Sequence, residues 1–190
     1  MTSIAVFVQN NGREYGSTKS RVIKCAEHFV LSDFLMFDIP MPTEDMYVTE
    51  PGGKPYFKDS PIHFNVSHSG KYWICAMALA PVGVDVQQHI HGKNYAKIAD
   101  RFFTTDEVDY LFANDYQDFY KIWAAKESYV KFTGTGIAEN FNKFSVTTKT
   151  QIRNKINKAH IAFIDIDPEY SCALCVGREF SYVRVNENIL

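Results

Sequence analysis

The sequence lacks most of the features that mark membrane, secreted or nucleic-acid-binding proteins. Its 190 residues include only four cysteines, too few for a disulfide scaffold. The longest apolar stretch, residues 72–84, is broken by Pro81 and Gly83 and is too short to span a bilayer. Twenty basic residues stand against 22 acidic ones, so no overall positive field attracts nucleic acid. Because the first residues also lack the pattern of a signal peptide, we expect a cytoplasmic protein.

Segments with strand and helix patterns alternate along the chain, and no linker divides it. We predict strands at 3–8, 62–67, 72–79 and 82–86, helices at 18–32, between 104 and 114 and at 116–133, a loop at 38–63, and strands with turns over 144–185. Thr104-x-x-Glu107 has the form of a capping box, and Gly134 suits a C-cap. Residues 170–173 faintly repeat 72–76, which fits two similar α+β lobes, predicted as 1–82 and 83–190.

Cys172 and Cys175 form a C-x-x-C pair within the run YSCALCVG. This run has the composition of a core strand. Since no second such pair and no nearby histidine pair completes a zinc site, we interpret the two cysteines as positions in a buried strand.

One carboxylate lies in the middle of an apolar helix face. At helical spacing, Phe119, Trp123 and Val130 share a stripe with Glu127, and Lys131 follows one turn later. A carboxylate on an apolar face is costly unless it meets a cation, a metal or several donors. Two interpretations stay open: a surface pair between Glu127 and Lys131, or a functional acid.

A second carboxylate lies on the strand predicted at 82–86. Alternation places the three valines on one face, and Gly83, Asp85 and Gln87 on the other. Two oxygen-bearing side chains two residues apart could share a hard cation, beside a glycine that leaves room. The alternative is a strand end whose polar face meets solvent.

A polar cluster closes the strand predicted at 62–67. Ser67, His68 and Ser69 present hydroxyl and imidazole groups before Gly70, and such a cluster could hold phosphate oxygens. A serine hydrolase is disfavoured because the chain has no G-x-S-x-G elbow. A plain polar turn is the alternative.

Taken in order, these segments resemble the 4'-phosphopantetheinyl transferases of the surfactin-synthetase-activating (Sfp) type. The resemblance rests on Gly53-Lys54-Pro55-Tyr56, on FNVSHSG at 64–70, on GVDV at 83–86 and on WAAKESYVK at 123–131. It implies a pseudo-dimer of two α+β lobes with coenzyme A and Mg²⁺ in the cleft between them. It also implies transfer of phosphopantetheine from coenzyme A to a serine of an acyl or peptidyl carrier protein, with release of 3',5'-ADP.

The resemblance assigns the metal site to acids that the residue patterns had singled out. Asp85 and Glu127 would hold Mg²⁺ together with the coenzyme A pyrophosphate, which agrees with the preference of this ion for a few carboxylates plus phosphates. Gln87 stands where many members of the type have a glutamate. Its amide oxygen brings no charge, so we expect weaker metal binding than in glutamate-bearing relatives.

The resemblance also assigns catalytic roles and contacts to coenzyme A. Glu127 would deprotonate the incoming serine, and Lys131 would steady or protonate the departing phosphate. The positions expected to contact coenzyme A are Lys54, Ser67, His68, Asp85 and Lys131.

The segment 134–164 is the expected docking region for the carrier protein. From 140 to 164 the chain has five basic residues and no acidic one. Carrier proteins are commonly acidic, so opposite charge would favour docking. An exposed hairpin kept soluble by lysines explains the same composition equally well.

Two competing functions remain at this point. One is a binding module that holds coenzyme A or a carrier protein but has lost transfer, which Gln87 keeps open. The other is a metal-dependent phosphohydrolase that releases phosphopantetheine to water. A chain that already contains two lobes needs no second copy to complete its cleft, so we expect a monomer.

Overall fold

The computed structural model describes residues 3–10, 17–33, 38–49, 53–135, 141–180 and 183–187. Its strands are β1 (Ile4–Asn10), β2 (Tyr47–Val48), β3 (Tyr56–Phe57), β4 (His63–Ser69), β5 (Tyr72–Ala78), β6 (Val82–Gln88), β7 (Lys155–Ile156), β8 (Ala159–Phe163), β9 (Tyr170–Val176) and β10 (Arg184–Glu187). Its helices are α1 (Thr18–Asp33), α2 (Tyr95–Phe102), α3 (Thr105–Ala113) and α4 (Phe119–Thr133), with a 3-10 turn at Phe141–Lys143. The predicted α+β class is confirmed.

Two four-stranded sheets organise the described part of the chain. The first has the order β10-β1-β5-β4, and the second has the order β6-β9-β8-β7. Neighbouring strands in both sheets are antiparallel except β1 and β10, which pair in parallel between Ala5–Val8 and Arg184–Glu187. The edge strands β4 and β6 lie close to one another, so the two sheets meet along these edges.

The sheets share one apolar core and each has a helix on its outer face. Alternate residues of β1 and β5 pack with Val82, Val84 and Val86 of β6 and with alternate residues of β9. On the far side of the first sheet, α1 covers β1 and β5. On the far side of the second sheet, α4 packs against β9, with α2 and α3 beside it. The alternation in β6 predicted its buried valine face correctly.

Local signals predicted most helix ends. The capping box is present, since Thr104 Oγ1 accepts from the Glu107 amide and the Glu107 carboxylate accepts from the Thr104 amide. Gly134 ends α4 with a left-handed backbone, φ 72°. The expected start of α4 at 116 was wrong, because Asp115 and Tyr116 both have positive φ and the helix begins at Phe119. Helix α2 was not predicted.

Some expectations remain predictions or fall outside the described residues. Pro51 and Gly52 of the predicted loop are not among the described residues. The similarity of two lobes and their boundary after residue 82 stay predictions. Cys172 and Cys175 lie in the buried strand β9, as predicted, and are free thiols. Among the described helices, none has the length and apolarity needed to cross a membrane.

Candidate active site

The site forms where α4 crosses β6, and a glycine allows the crossing. A Cβ atom on Gly83 would lie 2.1 Å from the Ser128 carbonyl oxygen and 2.4 Å from the Phe132 amide nitrogen. Real side chains do not tolerate such distances, so only glycine lets the helix backbone approach the strand this closely. Asp85, two residues further along the same face of β6, therefore lies beneath the second half of α4.

Asp85 is the centre of a hydrogen-bonded cluster. Its Oδ1 accepts from Lys131 Nζ at 2.6 Å and from Ser67 Oγ at 2.8 Å. Its Oδ2 accepts from Gln87 Nε2 at 2.8 Å. Only 2% of Asp85 is exposed, so the strand end facing solvent is excluded. Lys131 is engaged with Asp85 and also with Ser67 at 3.0 Å, which shows that it is more than a surface partner of Glu127.

Glu127 is buried beside this cluster and is poorly compensated. Burial, and after it the nearby charge of Asp85, raise the pKa of its carboxyl group to about 7, against weaker lowering by Lys131 and by a hydrogen bond with Trp123. Two acids thus compete for one lysine. A carboxyl group with a pKa close to neutral is suited to accept a proton at physiological pH.

Lys54 and His68 lie at different distances from this centre. Lys54 Nζ donates to the Val82 carbonyl at the start of β6. Burial lowers the pKa of Lys54 to about 8, and the charge of Lys131 contributes to this lowering. His68 is exposed and alternates with Ser67 along β4, so its side chain points away from Asp85. The structure therefore brings together the predicted residues Asp85, Glu127, Lys131, Ser67 and Gln87, places Lys54 against the start of β6, and leaves His68 on the other face of β4.

The donor set fits a magnesium ion that also binds phosphates. Among the described residues no group of three or more His, Cys, Asp or Glu side chains comes together, so a closed all-protein metal cage is not part of this site. The two buried carboxylates of Asp85 and Glu127 are nevertheless the kind of hard ligand that Mg²⁺ takes alongside substrate phosphates. Gln87 turns its amide nitrogen to Asp85, which makes it a donor to the carboxylate here.

A small cavity opens beside Gln87. It has a volume of about 140 Å³ and is lined by Lys93, Ile98, Phe119, Tyr120 and Trp123 in addition to Gln87. Half of its lining residues are aromatic, and Gln87, Lys93 and Tyr120 carry polar groups. The cavity can therefore receive a ligand that combines apolar and amide groups.

The sequence interpretation missed a buried ion pair next to the site. Glu107 accepts from Lys126 Nζ at 2.8 and 2.9 Å and from the Val146 amide at 2.8 Å, and both side chains are fully buried. The sequence patterns assign Glu107 only a capping role and assign no role to Lys126. A signal was available, because Ile122, Lys126 and Val130 recur every four residues and so share one buried face of α4.

Comparison with known proteins agrees with this geometry. The sequence model of the 4'-phosphopantetheinyl transferase superfamily matches residues 81–175, which is half of the chain and includes β6, α4 and all of β9 except Val176. The chain belongs to this superfamily. The recognition made from the motifs is thereby confirmed, and both acids of the site lie within the matched segment.

Several named relatives belong to the Sfp type. The 4'-phosphopantetheinyl transferase Sfp of Bacillus subtilis (strain 168) is 33% identical over 142 residues, which cover 69% of this chain and 62% of the relative. The transferase psf-1 of Bacillus pumilus is 32% identical over 154 residues, which cover 75% of this chain and 65% of the relative. The transferase gsp of Aneurinibacillus migulanus is 29% identical over 171 residues, covering 85% and 71%. The chain thus spans a little over three fifths of the length of the first two relatives.

Proposed function

We propose that this chain transfers the 4'-phosphopantetheine group of coenzyme A to a serine of an apo-acyl or peptidyl carrier protein. The products are the holo-carrier protein and 3',5'-ADP. The observation that carries the proposal is the cluster of two buried acids, Asp85 and Glu127, with the half-buried Lys131, assembled from two distant segments of the matched region. Membership of the transferase superfamily supports the reaction class.

The chemical step begins at Glu127. Its carboxylate accepts the proton of the attacking serine hydroxyl, directly or through water, and a pKa of about 7 keeps part of it ionised at neutral pH. The serine oxygen forms a bond to the phosphorus that carries pantetheine. The P–O bond of the pyrophosphate breaks, and its electron pair leaves on the terminal phosphate oxygen of 3',5'-ADP.

Two lysine side chains, together with a metal ion held by the two acids, would neutralise the negative charge of the phosphates. Lys131, already drawn to Asp85 and Ser67, lies where it can neutralise or protonate the departing phosphate. Lys54 would contribute a second positive charge. Asp85 and Glu127 would hold Mg²⁺, with Gln87 or water beside them. Once bound, this ion would polarise the phosphorus that is attacked and balance developing charge.

The cavity beside Gln87 would receive part of the pantetheine arm, which has two amides and a dimethyl group. Its aromatic and polar lining residues match that mixture of surfaces.

The expected partner is an acidic carrier protein that docks near 134–164. All five basic residues of the acid-free segment are exposed: Lys143, Lys149, Arg153, Lys155 and Lys158. The segment is anchored to α4, since the Asn157 side chain donates to the Tyr129 hydroxyl at 2.9 Å. A positively charged surface held against the catalytic helix favours docking over a purely solubilising role. We further propose that the protein acts as a monomer in the cytoplasm.

One assay tests the proposal against its competitors. Purified protein is incubated with coenzyme A, Mg²⁺ and an apo-carrier protein, and the products are read by intact-mass spectrometry. The proposal expects a phosphopantetheine adduct on the carrier, absent with EDTA and strongly reduced in Glu127→Gln. Hydrolysis of coenzyme A without an adduct would instead indicate a phosphohydrolase, and binding without turnover would indicate a module that has lost transfer.

Charge reversal tests the docking surface separately. Changing Arg153 and Lys155 to glutamate is expected to raise the KM for the carrier protein at low salt, with the affinity for coenzyme A unchanged. An unchanged KM would remove this surface from the proposal without affecting the chemistry.

A further inference from the structure

The edge of β6 is held by a ladder of side chains from β4. The Val84 amide donates to Asn65 Oδ1 at 2.8 Å, the Val86 amide to Ser67 Oγ at 3.2 Å, and the Gln88 amide to Ser69 Oγ at 3.0 Å. Acceptors two residues apart on one strand thus meet donors two residues apart on the other. Side chains of β4 replace the carbonyl oxygens of a normal strand pair, and they join the edges of the two sheets.

Only the middle rung of this ladder also contacts the site. Ser67 is 6% exposed, and its hydroxyl group donates to Asp85 Oδ1 at 2.8 Å. The same oxygen accepts from the Val86 amide and from Lys131 Nζ. A hydroxyl group has one donor hydrogen and two acceptor lone pairs, so the hydrogen-bonding capacity of Ser67 is completely used inside the protein.

We infer that Ser67 is a positioning residue for Asp85 rather than a contact to coenzyme A. Its hydroxyl hydrogen and the Gln87 amide bind different oxygens of the Asp85 carboxylate, so together they fix the plane of that carboxylate. Its oxygen holds Lys131 against the same group. Hydrogen bonds of this kind to a metal-binding carboxylate change metal affinity or activity by about 10- to 100-fold when they are removed. The inference rests on the proposed function.

Substitutions at Ser67 separate positioning from direct binding. Ser67→Ala is expected to leave the Kd for coenzyme A in EDTA unchanged within about twofold. The same variant should weaken Mg²⁺ binding to the complex with coenzyme A, and lower kcat, each by at least about tenfold. Ser67→Thr retains the hydroxyl oxygen and is expected to restore most of both quantities. Isothermal titration calorimetry gives both affinities, and the intact-mass assay gives kcat.

Asn65→Ala is the matched control for a merely structural effect. It removes a neighbouring hydrogen bond between β4 and β6 and leaves the buried Val84 amide without its acceptor, so it should lower the denaturation midpoint, as loss of the Val86 acceptor does in Ser67→Ala. Because Asn65 is not bonded to the Asp85 carboxylate, the Kd of the Asn65→Ala variant for Mg²⁺ should stay within about twofold of that of the unaltered protein. Equal loss of Mg²⁺ affinity in both variants would overturn the inference.

Direct binding has its own signature. If Ser67→Ala raises the Kd for coenzyme A in EDTA tenfold while the Mg²⁺ affinity is unchanged, Ser67 contacts the substrate and the inference is wrong. Failure of the proposed function is recognised independently, because the unaltered protein would then leave the carrier protein unmodified in the intact-mass assay.

Discussion

Replacing Glu127 by glutamine removes a buried negative charge while keeping the size and shape of the side chain. The native pKa of about 7 compares with an ordinary value of 4.5 for an exposed glutamate. A difference of this size corresponds to about 3 kcal/mol of preference for the neutral form in the folded protein. Glutamine is always neutral, so the variant avoids the cost of ionising this group.

The sign of the effect depends on pH. Below about pH 4.5 the carboxyl group is protonated in both the folded and the unfolded state, and Glu127→Gln changes the free energy of unfolding little. Between pH 4.5 and 7 the Glu127 carboxyl group is ionised in the unfolded state but still largely protonated in the folded state. The free energy of unfolding of the natural sequence therefore falls as the pH rises. Above pH 7 Glu127 is ionised in both states, and the folded protein bears the full free-energy cost of its buried charge. We therefore expect Glu127→Gln to be more stable than the natural sequence by up to about 3 kcal/mol at pH 8.

Urea denaturation in EDTA at pH 4.5, 6 and 8 measures this difference directly. Glu27→Gln is the matched control, because Glu27 is exposed on α1 and its replacement should change the free energy of unfolding little. A stability difference for Glu127→Gln that stays constant across this range, or that grows toward acid pH, would refute the account of Glu127 as a buried acid facing a second carboxylate.

Four further predictions test the geometry around this acid. Gly83→Ala should lower stability by about 1–3 kcal/mol or more, measured by urea denaturation, because the new Cβ would overlap the backbone of α4. Lys126→Met should cost about 3–5 kcal/mol by leaving Glu107 buried and unpaired, and adding Glu107→Gln should recover part of this loss. Gln87→Glu should tighten Mg²⁺ binding in calorimetric titration of the complex with coenzyme A; an unchanged Kd would place Gln87 away from the ion. Since the pKa of Lys54 is about 8, its positive charge is lost as the pH rises, so coenzyme A should bind more weakly at pH 9 than at pH 7, and Lys54→Arg should flatten this dependence.

Features set by neighbours in sequence were predictable. The buried valine face of β6 followed from alternation, and the capping box at Thr104 followed from a four-residue pattern. The central placing of Glu127 on α4 was visible from helical spacing, which also indicated that its burial needs a reason. These predictions hold because backbone geometry alone decides which side chains share a face.

Features set by distant contacts were not predictable from local patterns. The parallel pairing of β1 with β10 joins opposite ends of the chain, and no property of either strand specifies the partner. The direction of Lys126 depends on Glu107, which belongs to another helix. The polar alternation of Asn65, Ser67 and Ser69 was available in the sequence, but only the structure shows that its partners are backbone amides of another sheet.

Strand β6 is constrained on three sides, and these constraints explain why Asp85 of β6 lies beside Glu127 of α4. One edge forms backbone hydrogen bonds with β9, the other is held by side chains of β4, and α4 presses on its face at Gly83. Moving Asp85 relative to Glu127 would require breaking one of these contacts. Glu127 therefore stays buried beside Asp85, and its carboxyl pKa is raised first by that burial and then by the charge of Asp85, which separation of the two side chains cannot relieve.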